Sequence, residues 1–525
     1  MRRLLVVCLL ALIAPSGAAA GTMFVGAAED QARSLDPVVA KSRMDLAALA
    51  GFDAVRMTTL WSPGQREVGG DELRALTNAA AAAQLDGIRL ILSVYNRDAR
   101  TTPATPRERA NFAAFTASIA RKVPAIDDFV IGNEPNLNLF WMPQFTKTGG
   151  DAAAVAYEKL LAQTYDALKR VEPDANVIGG ALAPRGQDKP AARRQTHSPS
   201  AFIVDLGKAY RKAHRRKRIM DMLALHPYAI SSKLAPTFAN PHNTSLGISD
   251  YDKLRRLLTR AFQGTPQPGF GLPILYDEFG YQSKIPARKQ GFYRHLHSAA
   301  ARDAVSEARQ AESYSRAFAI AQCQPTVVGM LIFHVTDERD ARAWQSGVYY
   351  ADRSRKSSFG TVRSAAMRAQ RGTLVKCARQ KLGGEVANVA FHDLSKAEEP
   401  SLDIDFRCAS VCRYEARIVS STTGALALSA SGTMEAGRQT ATLPAAGLDP
   451  GTYQYAFRAV AAGRAGTALA RFSRPFVVPA REGEPEDPQT PSLVPPRVLS
   501  SLPLLPSLLA TVPAREPEPE PAPTS

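Results

Sequence analysis

The chain has 525 residues, too long for one average domain, with 45% hydrophobic and 22% charged residues, which excludes overall disorder. Its net charge of +16 raises the question of nucleic acid. The densest basic run, Arg211 to Arg218, follows a helical stretch and precedes an apolar strand, so it reads as a solvated helix end rather than a nucleic-acid surface. A basic surface of this kind suits loose adhesion to an acidic cell wall.

The N-terminus begins Met1-Arg2-Arg3, continues with an apolar run from Leu4 to Ala14, and closes on Ala18-Ala19-Ala20. This is the pattern of an export signal cleaved after Ala20, assigning residues 1–20 to a signal peptide and the mature chain to the extracellular space. The run is too short for an integral membrane anchor.

From residue 23 short apolar runs alternate with amphipathic helical stretches. The predicted strands are Met23–Ala27, Ala54–Thr59, Arg89–Tyr95, Phe129–Gly132, Val177–Leu182, Met222–His226, Ile274–Phe279 and Val327–Val335. Between the fifth and the preceding strand, Tyr157, Leu160, Leu161, Tyr165 and Leu168 recur on one helix face, and Pro173 then blocks continuation. Near-continuous apolar strands are those of a parallel sheet buried on both faces. Eight such units over residues 21–382 predict an α/β fold, a (β/α)8 TIM barrel. A doubly wound open sheet is the alternative, but no glycine-rich phosphate loop follows the first strand.

Over residues 383–480 helical spacing gives way to alternation, as in Leu402, Ile404, Phe406 and Cys408. Turn signals such as Asp449-Pro450-Gly451 separate the runs, predicting a small all-β sandwich of immunoglobulin- or fibronectin-like type. Residues 481–525 are rich in Pro and Glu and predict a disordered tail. Four cysteines remain after export. Their even number and positions predict disulfides Cys323–Cys377 and Cys408–Cys412, and no spacing suits a zinc site.

In a barrel of this type, chemistry gathers where strands end. Strand 4 ends Gly132-Asn133-Glu134-Pro135, and strand 7 ends Asp277-Glu278-Phe279-Gly280. Two carboxyl groups at one end of a barrel match what cleavage of a glycosidic bond requires: one protonated donor and one ionised partner. Asn133-Glu134-Pro135 with Glu278-Phe279-Gly280 resembles the signatures of the clan A retaining glycoside hydrolases, on either the cellulase-type (family five) or the xylosidase-type (family thirty-nine) branch. The resemblance implies Glu134 as acid/base and Glu278 as nucleophile, with Asn133 bonding the sugar hydroxyl beside the reacting carbon. Arg56 on strand 2 matches the clan's arginine that keeps the nucleophile ionised. His226-Pro227-Tyr228 resembles its His-x-Tyr pair, and Trp344 with Lys356 its strand-8 loop. Trp344 and Trp61 are candidate platforms for a sugar face. Asp277 falls on the opposite alternation phase from Glu278 and is assigned a structural role.

One departure stands out. The clan's tryptophan at the end of strand 8 is replaced by Ile332-Phe333-His334. The expected activity is hydrolysis of β-linked oligo- or polysaccharides by double displacement, without metal or organic cofactor. A non-catalytic carbohydrate-binding protein on the same barrel is the competing reading, and a transglycosylase a third.

Overall fold

A computed structural model describes residues 23–371 apart from 270 and 325. Farther on it describes residues 386–391, 401–408, 412–420, 426–435, 437–444, 448–461, 469–472 and 476–478. The predicted export signal, the predicted tail and Cys377 lie outside these residues.

Eight parallel strands close into a barrel in sequential order. They are β1 Phe24–Ala28, β2 Ala54–Trp61, β3 Arg89–Asn96, β4 Asp128–Ile131, β5 Asn176–Leu182, β6 Met222–Leu225, β7 Ile274–Phe279 and β8 Val327–Phe333. All eight predicted strands are present, and β1 pairs with β8 to complete the ring. The helices between and after them are α1 Pro37–Leu49, α2 Gly70–Leu85, α3 Pro106–Lys122, α4 Ala152–Val171, α5 Pro199–Lys212, α6 Tyr251–Phe262, α7 Ala299–Asp303, α8 Glu307–Gln322 and α9 Phe359–Gln370. Six of these starts carry a side-chain cap. Thr105 accepts from the Glu108 amide at 3.2 Å while the Glu108 carboxylate accepts from the Thr105 amide at 3.0 Å. No helix among the described residues is long and apolar enough to cross a membrane.

Alternation sorts the strand residues into two cores. Val55, Met57, Leu90, Leu92, Val94, Phe129 and Ile131 face the helices. Ala54, Ile91, Val130, Ile178, Met222 and Leu275 fill the barrel interior. On β2 the inward phase that begins at Ala54 continues to Arg56, which sets that guanidinium inside the barrel mouth.

The C-terminal residues form antiparallel sheets. Strands β9 Val386–Phe391, β10 Ser401–Cys408 and β13 Gly437–Pro444 make one sheet. Strands β11 Cys412–Ser420, β12 Leu426–Met434, β14 Gly451–Ala461, β15 Leu469–Phe472 and β16 Phe476–Val478 make the other. Phe406 from the first sheet meets Phe457 of the second with ring centroids 4.7 Å apart. The interior layer of the barrel and the core of these sheets belong to one contiguous apolar cluster, with half-buried Phe24 packed against it. Arg417 of β11 reaches Asp174, just before β5, at 3.0 Å. The sheets therefore lie against the end of the barrel where the strands begin, opposite the catalytic end of such folds.

Candidate active site

The turn after β4 is held from several sides. Gly132 has φ +86°, with the Tyr157 ring 3.0 Å from where a Cβ would stand, so glycine suits the position. Tyr157 donates to the Ile131 carbonyl at 2.5 Å and accepts from the Gly180 amide at 2.8 Å, tying β4 to β5. Asn136 accepts from the Ala183 amide at 2.9 Å and donates to the His197 carbonyl at 3.0 Å. Between these ties Glu134 adopts φ +40°, a left-handed conformation costly for any residue with a Cβ, and its amide donates to the Ala181 carbonyl at 2.8 Å. The backbone around it is fixed from both sides, so the carboxylate is aimed rather than free.

At the opposite side of the mouth the β7–β8 register shifts between Tyr276 and Phe279. This bulge breaks the side-chain alternation. The expectation that Asp277 points away from Glu278 is therefore corrected: both carboxylates meet the Arg56 guanidinium. Arg56 Nη1 donates to Asp277 at 3.1 Å, and Nη2 pairs with Glu278. Tyr228 donates its hydroxyl to the other Glu278 oxygen at 3.1 Å.

His226 joins the two halves of the site. Its Nδ1 lies 2.9 Å from Glu134 Oε1 and 3.4 Å from Glu278 Oε2, and its Nε2 lies 3.4 Å from Asp277 Oδ1. Burial alone would lower its pKa, but the charges of Glu278 and Asp277 outweigh burial and push it up to about 10. The ring is therefore an imidazolium at neutral pH. Asp277 is wholly buried. Burial would raise its pKa, but His226 and Arg56 hold it below the usual carboxylate range. Three carboxylates thus share two cations in one buried cluster.

The cluster opens into a cleft of about 760 Å³ lined by Asn133, Glu134, Tyr228, Glu278, Phe333 and Trp344 among others. This volume falls within the roughly 300–1,000 Å³ typical of small-molecule sites. Asn133 sits in the wall beside Glu134. Trp344 arrives on the loop after β8 and packs against Tyr228 at 4.8 Å and edge-on to Phe333 at 5.7 Å. Its loop is pinned by Lys356, whose buried ammonium donates to Asp337 at 2.7 Å, Ser283 at 2.7 Å and the Gln345 carbonyl at 3.1 Å. At the end of β8, Phe333, Tyr228 and Trp344 thus form an aromatic corner. His334 follows through a cis peptide and donates from Nδ1 to the Ala28 carbonyl at 2.8 Å. Burial would lower its pKa; Glu338 and Glu29 raise it to about 9.

Among known proteins, no family model and no curated protein matches the chain. Solved structures do. A family 39 glycoside hydrolase from the gut symbiont Bacteroides cellulosilyticus WH2 is 15% identical, with 81% of each chain covered and a TM-score of 0.49. GH5_18 from Streptomyces cattleya, in complex with GlcNAc, is 17% identical over 67% of this chain and 81% of that one, with a TM-score of 0.45. A GH5-4 broad-specificity endoglucanase from Clostridium longisporum is 14% identical over 66% and 97%, with a TM-score of 0.42. The chemistry of the cleft rests on its own side chains.

The structure gathers Arg56, Asn133, Glu134, His226, Tyr228, Glu278 and Trp344 around the cleft. Trp61 is corrected. It is fully buried, edge-on to Phe112 at 5.6 Å, with its indole N–H donated to the Gln65 carbonyl at 2.8 Å. Five residues beyond Arg56 it falls on the other strand face, toward α3, so it packs the core and meets no ligand. Arg185 was missed. Arg185 stands three residues past the end of β5, in the cleft wall, where the strand-end rule points.

Proposed function

We propose that this protein is an exported, retaining glycoside hydrolase that cleaves β-linked oligo- or polysaccharides by double displacement. One observation carries the reading: a single ring nitrogen of His226 touches the carboxylates at the ends of both β4 and β7. Their contacting oxygens can be no farther apart than the two distances laid end to end, 2.9 Å and 3.4 Å. Inverting enzymes need roughly 6.5–9.5 Å between carboxyl groups for an intervening water, whereas retaining ones need about 5–5.5 Å. The closer spacing favours direct attack by one carboxylate.

Roles follow from environment. Glu278, bonded by Arg56 and Tyr228, faces the sugar carbon and is the nucleophile. Glu134, at the end of β4 and against the same His226 nitrogen, is the acid/base. Glu134 protonates that oxygen as Glu278 bonds to the sugar carbon and the glycosidic bond breaks. Glu134 then takes a proton from water, whose oxygen attacks the same carbon and frees Glu278. Asn133 bonds the adjacent hydroxyl, and Trp344 presents its face to the sugar. These side chains and water suffice for the reaction. Export by the N-terminal signal, an immunoglobulin- or fibronectin-like topology for the C-terminal sheets, and the pairings Cys323–Cys377 and Cys408–Cys412 belong to the same proposal.

The test is a glycan and aryl-glycoside screen followed by Glu278→Gln. The variant loses roughly 10³-fold or more of the parent's rate, and a fluorosugar becomes covalently attached to Glu278, read by peptide mass spectrometry. Hydrolysis that survives Glu278→Gln, or a parent inert across the whole panel, overturns the assignment.

A further inference from the structure

A glycosidase's general acid stands on the leaving-group side of the bond it breaks, because it protonates the leaving oxygen. The elements flanking Glu134 therefore contact the leaving group. They are the loop after β4, carrying Leu139, and the segment after β5, carrying Arg185, which is bonded in turn to the loop after β6, carrying Ile230. Leu139 and Ile230 are largely exposed, at 68% and 70%.

Arg185 is half-buried in the cleft wall. Its Nη1 donates to the Tyr228 carbonyl at 3.0 Å, which fixes the side chain. Burial lowers its pKa, and Glu134 is the carboxylate whose charge acts against that. No described carboxylate forms an ion pair with it. The other basic groups of the cleft are matched. Arg56 is taken by Asp277 and Glu278. His334 faces Glu338 and Glu29. Arg185 alone among these keeps most of its five donors for whatever enters. A guanidinium's planar fork matches a carboxylate in two-point contact and is more weakly hydrated than an ammonium, so a half-dry wall suits it.

We infer that Arg185 recognises a carboxylate on the leaving group, and that the substrate is a glycoside whose aglycone or adjoining sugar is acidic. This rests on Glu134 being the acid/base. The exposed leucine and isoleucine flank the same region and suit the apolar body of such a group.

The test compares 4-carboxyphenyl and 4-carbamoylphenyl glycosides of a sugar that the parent cleaves. The parent prefers the carboxylate at least tenfold in kcat/KM. Arg185→Gln keeps a donor for the Tyr228 carbonyl but brings the ratio near unity, and Arg185→Lys falls between. Equal rates in the parent, or a parallel loss on both substrates in Arg185→Gln, overturn the inference, the second outcome leaving Arg185 as a partner of Glu134 alone. If neither glycoside is cleaved, the hydrolase reading fails separately, and calorimetric binding decides. Tighter binding of 4-hydroxybenzoate than of 4-hydroxybenzamide, lost in Arg185→Gln, supports the inference; equal binding sinks it. Repeating the comparison with glucuronate against glucose separates a sugar acid from an aromatic one.

Discussion

His226 is the sharpest point at which to press the structure. Its imidazole is fully buried and faces Glu134, Asp277 and Glu278. Moving its pKa from an ordinary 6.5 to about 10 is worth roughly 5 kcal/mol in favour of the charged ring, at 1.36 kcal/mol per pH unit. The folded-state value is the higher one, so folding takes up this proton. The contribution is complete below pH 6.5 and drains away as pH rises toward 10, at about 1.4 kcal/mol per pH unit. The assay has two parts. Histidine ring resonances are followed in labelled protein from pH 5 to 10.5, with His226→Gln assigning one of the eight histidines. Thermal midpoints of parent and variant are measured across the same range. The His226 signal should remain that of an imidazolium beyond pH 8, and the parent should lose its advantage over the variant between pH 7 and 10. A His226 signal that titrates near 6.5, or two melting curves that fall in parallel, would refute the reasoning.

Three further outcomes follow from the packing. Lys356→Met leaves Asp337 as an unpaired buried carboxylate and should cost about 3–5 kcal/mol, read as a lower thermal midpoint. Trp344→Ala should raise KM more than it lowers kcat and leave the melting temperature close to that of the parent; the reverse pattern would deny it a role in holding sugar. Trp61→Ala should do the opposite, costing about 3–5 kcal/mol through the cavity it leaves while the surviving folded enzyme keeps its KM.

The barrel was legible in the sequence because a parallel strand buried on both faces needs an unbroken apolar run. The eight runs, spaced by helix-length segments, admit few other folds. The shared place of Glu134 and Glu278 in one cleft was legible because both stand at strand ends on the same side of the barrel. What the sequence did not reveal depends on departures from regular geometry. The bulge in β7 reverses the phase of Asp277 and Glu278, and no residue type at that point announces it. Trp61 was misread for a different reason. Aromatic residues near a strand end serve packing and ligand contact equally well, and counting the phase from Arg56 would have turned it outward. The aromatic corner of Phe333, Tyr228 and Trp344 joins the end of β8 and the loop after it to the loop after β6, a proximity that one-dimensional spacing does not encode.

The apolar cluster shared by the barrel interior and the C-terminal sheets has a practical consequence for anyone cutting the gene. A stop codon placed after α9 would keep every residue of the cleft yet strip the cover from the opposite end, where Phe24 closes over Gly329. Exposed apolar surface of that kind promotes association between chains. The shortened chain should therefore collect in the pellet rather than the supernatant, and the boundary that sequence composition draws between two domains would prove to be one that solubility does not respect.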